Sequence, residues 1–319
     1  MKESRVWVLG SSNLDTTFLV DRLPQNGESL MIRGQFEAPG GKGANTAVVC
    51  RKSGAPVSFI GCIGADPAGD SLLDAFQKAD IDTTHLLRLE DIPTGRAYVL
   101  VDAAGDNIVL VNPGANQQVP LTLSPSFSAG DWLVTQYEVN LSSVAYYLRA
   151  ARQAGVHTLL NPSPFLRDEE TLALADYLVL NETEAAAITG YSPSAPEQAG
   201  KAAFAAARQY GCAAVVITLG ERGAVLAWEG RVFQMPGFPV AVTDTQGAGD
   251  TFFGVFTASL YDGLSPEQAL HRANIAAALS VQAKGSAQTS FPGIEAIDRQ
   301  WKTQFKRLSS ENAGMPPSP

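Results

Sequence analysis

Short apolar runs recur along the chain and alternate with longer stretches whose apolar positions fall three and four residues apart. Residues 6–9, 57–60, 132–135, 157–160, 177–180 and 215–219 have the length and β-branched content of buried strands. Between them, helices are predicted over 42–52, 70–79, 141–153, 182–189, 196–209, 249–261 and 266–283. In the 249–261 stretch, Phe252, Val255, Phe256, Ser259 and Leu260 fall on one face, which should pack on a sheet. Strands alternating with helices predict βαβ units and a parallel sheet. Two stretches break the pattern. Residues 16–36 and 94–111 lack helical periodicity, and the second reads as a hairpin turning at Ala104-Gly105-Asp106. From Ser309 the chain is polar and Pro-rich, so one domain over 1–310 and a disordered tail over 311–319 are expected.

Composition narrows the class. With 319 residues and 45% hydrophobic content the chain can bury a sizeable core. A net charge of −9 without a Lys/Arg-rich run argues against a nucleic-acid partner. No apolar run approaches the ~20 residues needed to span a bilayer, and the first residues carry no leader pattern, so a cytoplasmic protein with no membrane partner is expected. Cys50, Cys62 and Cys212 are odd in number and widely spaced, which suggests reduced core thiols. His85, His157 and His271 lack partners at ligand spacing, which removes structural zinc and histidine-based nucleophilic catalysis.

The most informative segment is Asp244-Thr245-Gln246-Gly247-Ala248-Gly249-Asp250-Thr251-Phe252, which leads from a strand-like run at 238–242 into a helix. Backbone N–H groups at a helix N-terminus have no partner inside the helix, and small residues let an anion approach them. Asp250 beside such an anion could take the proton of an attacking hydroxyl in phosphoryl transfer, and the bland alternative is a tight turn with an N-terminal Asp. A second glycine turn, Pro39-Gly40-Gly41-Lys42-Gly43-Ala44-Asn45, also runs into a helix. It is not a Walker A loop, because Phe36 and Gly43 occupy the places of the required Gly and Ser/Thr. The segment at 247–252 is not a dinucleotide fingerprint either, since Phe252 stands where Gly is needed.

Taken with Gly10-Ser11-Ser12-Asn13-Leu14-Asp15 and Gly61-Cys62-Ile63-Gly64-Ala65-Asp66-Pro67-Ala68-Gly69-Asp70, these segments resemble the ribokinase-like (PfkB) family of carbohydrate kinases over about 6–292. The resemblance implies a three-layer α/β/α fold with a mostly parallel central sheet. The segments at 16–36 and 94–111 would form a small β-lid over the sugar and pair with a second subunit into a homodimer.

It also implies roles. Asp250 would be the base, with the anion hole at Gly247, Ala248 and Gly249. Asn13, Asp15, Gly41, Lys42, Asn45 and Glu138 would contact the sugar, although Asn13 and Asp15 could also be a strand-end turn. Asn181, Thr218, Gly220, Gly223 and Asn274 would face ATP. Glu184 would hold Mg²⁺ through water, and Asn181 with Glu184 also reads as a helix capping box. Asp244, with Ser290 from the loop Lys284-Gly285-Ser286-Ala287-Gln288-Thr289-Ser290, would hold a monovalent cation, usually K⁺. The implied activity is ATP-dependent phosphorylation of a primary hydroxyl, with D-ribose at O5 leading because the stretch at 110–116 is similar to the ribokinase form. Arg96 and Gln246 depart from the usual pattern. Arg96 keeps a sugar-acid substrate open beside ketose and nucleoside alternatives, and a non-catalytic sugar-binding dimer is the reading from another class.

Overall fold

The computed structural model describes residues 4–312, with side chains through Thr303. In chain order, β1 (Val6–Leu9) is followed by β2 (Asn13–Leu19), β3 (Gly34–Gly40), α1 (Lys42–Lys52), β4 (Val57–Gly64), α2 (Pro67–Lys78) and β5 (Asp82–Leu89). Next come β6 (Gly95–Val101), β7 (Asn107–Asn112), a 3-10 turn at Gly114–Gln118, β8 (Trp132–Gln136), α3 (Leu141–Gln153), β9 (His157–Asn161), α4 (Glu169–Leu174) and β10 (Tyr177–Leu180). The remainder is α5 (Glu182–Thr189), α6 (Pro196–Tyr210), β11 (Ala214–Thr218), β12 (Ala224–Trp228), β13 (Arg231–Met235), α7 (Ala248–Tyr261), α8 (Pro266–Ser280), α9 (Ala287–Ser290) and α10 (Ile294–Asn312).

Nine strands form the central sheet in the order β13-β12-β11-β10-β9-β8-β1-β4-β5, parallel except at the β11-β12-β13 edge. Alternation along each strand feeds two cores. On β1, Val6 and Val8 face the layer of α1, α7 and α8, while Trp7 and Leu9 face that of α3, α5 and α6. Both helical layers are therefore required to cover the sheet, giving the three-layer α/β/α fold. The second sheet, β3-β2-β6-β7, is built from the two segments expected as the lid, and its hairpin turns where expected. Its strands extend past the expected edges, because β2 begins at Asn13 and β3 ends at Gly40.

Several expectations need correction. Residues 238–242 form no strand. Gly237 crosses so close over the Gly220–Arg222 turn that a Cβ there would lie 1.8 Å from Glu221 O, which leads the chain away from the sheet. The strand begun at Val57 runs on to Gly64. The following helix starts at Pro67, three residues early, because Asp66 caps it by accepting from Gly69 N at 2.8 Å. The helix begun at Pro266 stops at Ser280. The hairpin β12–β13 was missed: Glu229 and Gly230 turn it with φ of 48° and 72°, and Glu rarely adopts positive φ. Elements β5, α4 and α10 were also missed. Helix α10 takes in residues 311–312 of the expected tail, and 313–319 lie outside the described residues. The three cysteines are buried and free, and burial pushes their thiols up. Among the described residues no helix is long and apolar enough to cross a membrane.

Candidate active site

In an open α/β sheet, ligands bind beyond the carboxyl ends of the strands where the winding reverses. Here β1 lies between β4 and β8, and the chain leaving β1 and β8 carries Asn13, Asp15 and Glu138. Glu138 Oε2 accepts from Ser11 Oγ at 2.5 Å and from Lys42 N at 3.1 Å, so one carboxylate joins the ends of both strands to the start of α1. Asn13 is oriented by a residue that sequence reasoning passed over. Asn116, on the 3-10 turn after the lid, donates to Asn13 Oδ1 at 2.7 Å and accepts from Ser12 N at 2.9 Å.

Asp15 sits on the inner face of lid strand β2. Its Oδ1 is buried with no hydrogen-bond partner, and burial, then the charges of Glu138 and Asp250, push its carboxyl up to about 7. Buried acceptors are rarely left alone, so this atom fits a ligand donor. Gly40 is required opposite it, since a Cβ there would stand 2.0 Å from Asp15 Oδ2. Gly41 caps α1 at φ 90°, and Gly43 packs on Gly10, where a Cβ would lie 2.6 Å from the backbone.

Helices α1 and α7 lie side by side with their N-termini together. Asn45 Nδ2 donates to Asp250 Oδ2 at 2.7 Å, and farther along Cys50 Sγ donates to Gly254 O at 3.3 Å. Gly254 permits this contact, because a Cβ would lie 2.6 Å from Val49 Cγ1. Two macrodipoles thus end at one place. Gly247 caps α7 at φ 74° against Ala287, whereas a Cβ on Gly249 would meet nothing within 4 Å. Lys42 is half-buried, and its ammonium is held above its ordinary value chiefly by Asp250, with Glu138 and Glu184 adding against burial.

Beyond Gly249 opens a cavity of about 850 Å³, a size suited to a small-molecule cofactor. Thr218, Gly220, Gly223, Ala248, Gly249 and Asn274 line it, so four of the five expected nucleotide residues come together there. Asn274 Nδ2 donates to Pro236 O at 2.8 Å and holds the 236–247 segment at the cavity wall. The fifth, Asn181, is not among the lining residues. It accepts from Glu184 N at 2.8 Å while Glu184 Oε2 accepts from Asn181 N at 2.9 Å, so the capping box is present.

Glu184 is 3% exposed and burial raises its carboxyl, so a positive neighbour would be welcome, as a hydrated Mg²⁺ requires. Asp244 accepts from Gln246 N at 2.9 Å and Gly285 N at 3.0 Å, which brings the two segments expected around a monovalent cation together. Ser290, in the same loop, donates to Ser286 O at 2.9 Å. Gln288 was missed as well: from α9 it donates to Asn45 Oδ1 at 3.0 Å. Its place in the 284–290 loop was the only sequence signal for it.

Comparison with known proteins identifies the family. The description "pfkB family carbohydrate kinase" matches residues 3–292. Ribokinase of Haemophilus influenzae is 37% identical over 89% of this chain and 94% of its own length. Mouse ribokinase is 35% identical over 90% and 91% respectively. The structure of Arabidopsis thaliana ribokinase complexed with ribose and ATP superposes with a TM-score of 0.85, at 31% identity over 94% of this chain and 99% of that one. This chain belongs to the pfkB family of carbohydrate kinases.

Proposed function

We propose that this enzyme transfers the γ-phosphate of ATP to O5 of D-ribose. The observation that carries the reading is the placement of a partnerless buried acceptor on Asp15, inside the lid, across from Asp250 at the start of α7. A polyhydroxyl ligand supplies the donors that Asp15 lacks, and a primary hydroxyl then lies beside Asp250. The names of the relatives favour ribose.

Asp250 accepts the proton of the attacking hydroxyl, and Gly247, Ala248 and Gly249 direct backbone N–H groups at the transferring phosphate. Asn13, Asp15, Gly41, Asn45 and Glu138 hold the sugar, while Lys42 offsets charge between the two substrates. Thr218, Gly220, Gly223 and Asn274 hold the nucleotide. Asn181 has its side-chain oxygen committed to the cap and reaches the phosphates only with its NH₂ group. Mg²⁺, organised through water by Glu184, neutralises phosphate charge when bound. Asp244 and carbonyls of the 284–290 loop, with Ser290, suit K⁺.

A homodimer through the lid is supported by apolar side chains exposed on its strands: Phe36 at 52%, Val109 at 52% and Leu110 at 59%. A four-stranded lid that leaves such surface in water gains from a partner. A cytoplasmic location goes with such a sugar kinase. ADP release measured over pentoses, hexoses, sugar acids and nucleosides tests the substrate. Turnover that is fastest on D-ribose is expected; no turnover on any sugar would favour a binding protein.

A further inference from the structure

Asn45 stands between Asp250 and α9, with its Nδ2 donating to Asp250 Oδ2 at 2.7 Å and its Oδ1 accepting from Gln288 Nε2 at 3.0 Å. An ionised carboxylate only accepts, so Asn45 must turn its NH₂ end toward Asp250. Its carbonyl end then points away and needs a donor to hold it there. Without one, the amide could turn over and set its oxygen against the carboxylate.

We propose that Gln288 is a positioning residue for phosphoryl transfer, locking the Asn45 amide in the orientation that gives Asp250 a donor and thereby aiming the carboxylate. The proposal rests on the reading of Asp250 as the base. Gln288 has the rigidity this needs. Its main-chain carbonyl accepts from Lys52 Nζ at 2.7 Å, and the preceding Ala287 is fully buried against the cap of α7, where a Cβ on Gly247 would come within 2.4 Å of Ala287 N. Ser286 Oγ, at the start of the same short helix, donates to Pro39 O at 3.4 Å beside the entry to α1. The α9 helix is thus wedged between the starts of α1 and α7. A hydrogen bond from it fixes the mutual aim of groups on those two helices, in the way that supporting contacts hold a reacting constellation.

Two variants of nearly equal size separate this role from simple packing. Gln288→Met keeps the length and removes the donor. Gln288→Glu sets an acceptor against Asn45 Oδ1 and favours the turned-over amide. Gln288→Met should lower kcat about 5-fold and Gln288→Glu at least about 20-fold, with the KM for ATP changed less than about 2-fold in both. In an Asn45→Ala background both effects should shrink below about 2-fold, since the residue they act through is gone. The side-chain amide resonance of Asn45 should move in both single variants of the unliganded protein. Equal losses in the two variants, or the same losses with and without Asn45, overturn the proposal. Asp250→Asn measured alongside separates the two layers of the argument. An inactive Asp250→Asn with wild-type Gln288 variants overturns the positioning role alone, and a fully active Asp250→Asn overturns both.

Discussion

Arg96 Nη1 pairs with Glu37 Oε1 at 3.2 Å on the face of the lid sheet opposite Asp15. The register decides the face, because residues in register share a side of a sheet. Asp15 is matched with Ala38 and Ala97, whereas Arg96 is matched with Leu14 and Glu37 with Thr16. The guanidinium is therefore directed away from the sugar pocket, and the reason for considering a sugar-acid substrate falls. Arg96→Ala should change kcat/KM by less than about 2-fold for a neutral pentose and for an anionic sugar alike, and the exposed ion pair should be worth at most ~1 kcal/mol of stability. A selective loss on the anionic sugar would return Arg96 to the site.

Asp250→Asn keeps the size of the side chain and removes the proposed base. It should cut kcat by roughly 10²- to 10⁴-fold with little change in ATP affinity. Stopped-flow or coupled assays that retain more than about a tenth of wild-type kcat, where base loss should remove at least ~10²-fold, would reassign the proton acceptor.

Asp15 titrates near 3.8 in an ordinary setting and is pushed up to about 7 in the fold. Between those values the unfolded chain has already released the proton that the folded chain keeps, so this group's contribution to stability declines as pH rises through that window. Asp15→Asn should remove the decline. The unliganded variant should match the wild type below the window and exceed it at pH 8 by roughly 4 kcal/mol, while its sugar KM rises. Melting curves across pH that stay parallel for the two proteins would contradict this.

Gly247 and Gly249 stand two residues apart and should respond differently. Gly247→Ala forces a side chain into φ 74° with 2.4 Å to Ala287 N, which should cost about 2–4 kcal/mol of stability. Gly249→Ala meets no protein atom and improves helix propensity, so stability should hold within ~0.5 kcal/mol while the KM for ATP rises. Denaturant midpoints and nucleotide KM values measure the two effects, and equal destabilisation of both would show that Gly249 serves packing.

If Asp244 and the 284–290 loop hold a monovalent ion, replacing Na⁺ by K⁺ at fixed ionic strength should raise kcat, and Asp244→Ala should abolish the difference. The bound charge would steady the backbone dipoles at the start of α7. Equal rates in the two salts, with protein stripped of cations, would count against it.

The parts of this site legible in the sequence were those announced by local chemistry. Glycines with a charged or amide residue at a helix start marked Gly41 to Asn45 and Gly247 to Asp250, and the strands between them were readable because both of their faces are apolar. What escaped depends on contacts between distant segments. Asn116 orients Asn13 across 103 positions and Gln288 reaches Asn45 across 243, and neither separation leaves a periodic trace. Residues 238–242 misled because Phe238, Val240 and Val242 alternate like a strand, while the close crossing at Gly237 and the ring of Pro239 keep them off the sheet.

Strand β2 has one further consequence. It leaves β1 after three residues and is itself a strand of the lid, so Asn13 and Asp15 are parts of the cover and not of the floor. If the cover moves when sugar binds, closing it and engaging the hydroxyls would be one coordinate. The apparent sugar affinity would then be the intrinsic affinity scaled by the fraction of molecules whose cover is down. A second subunit packed against the outer strands would retune affinity through that fraction without touching the pocket.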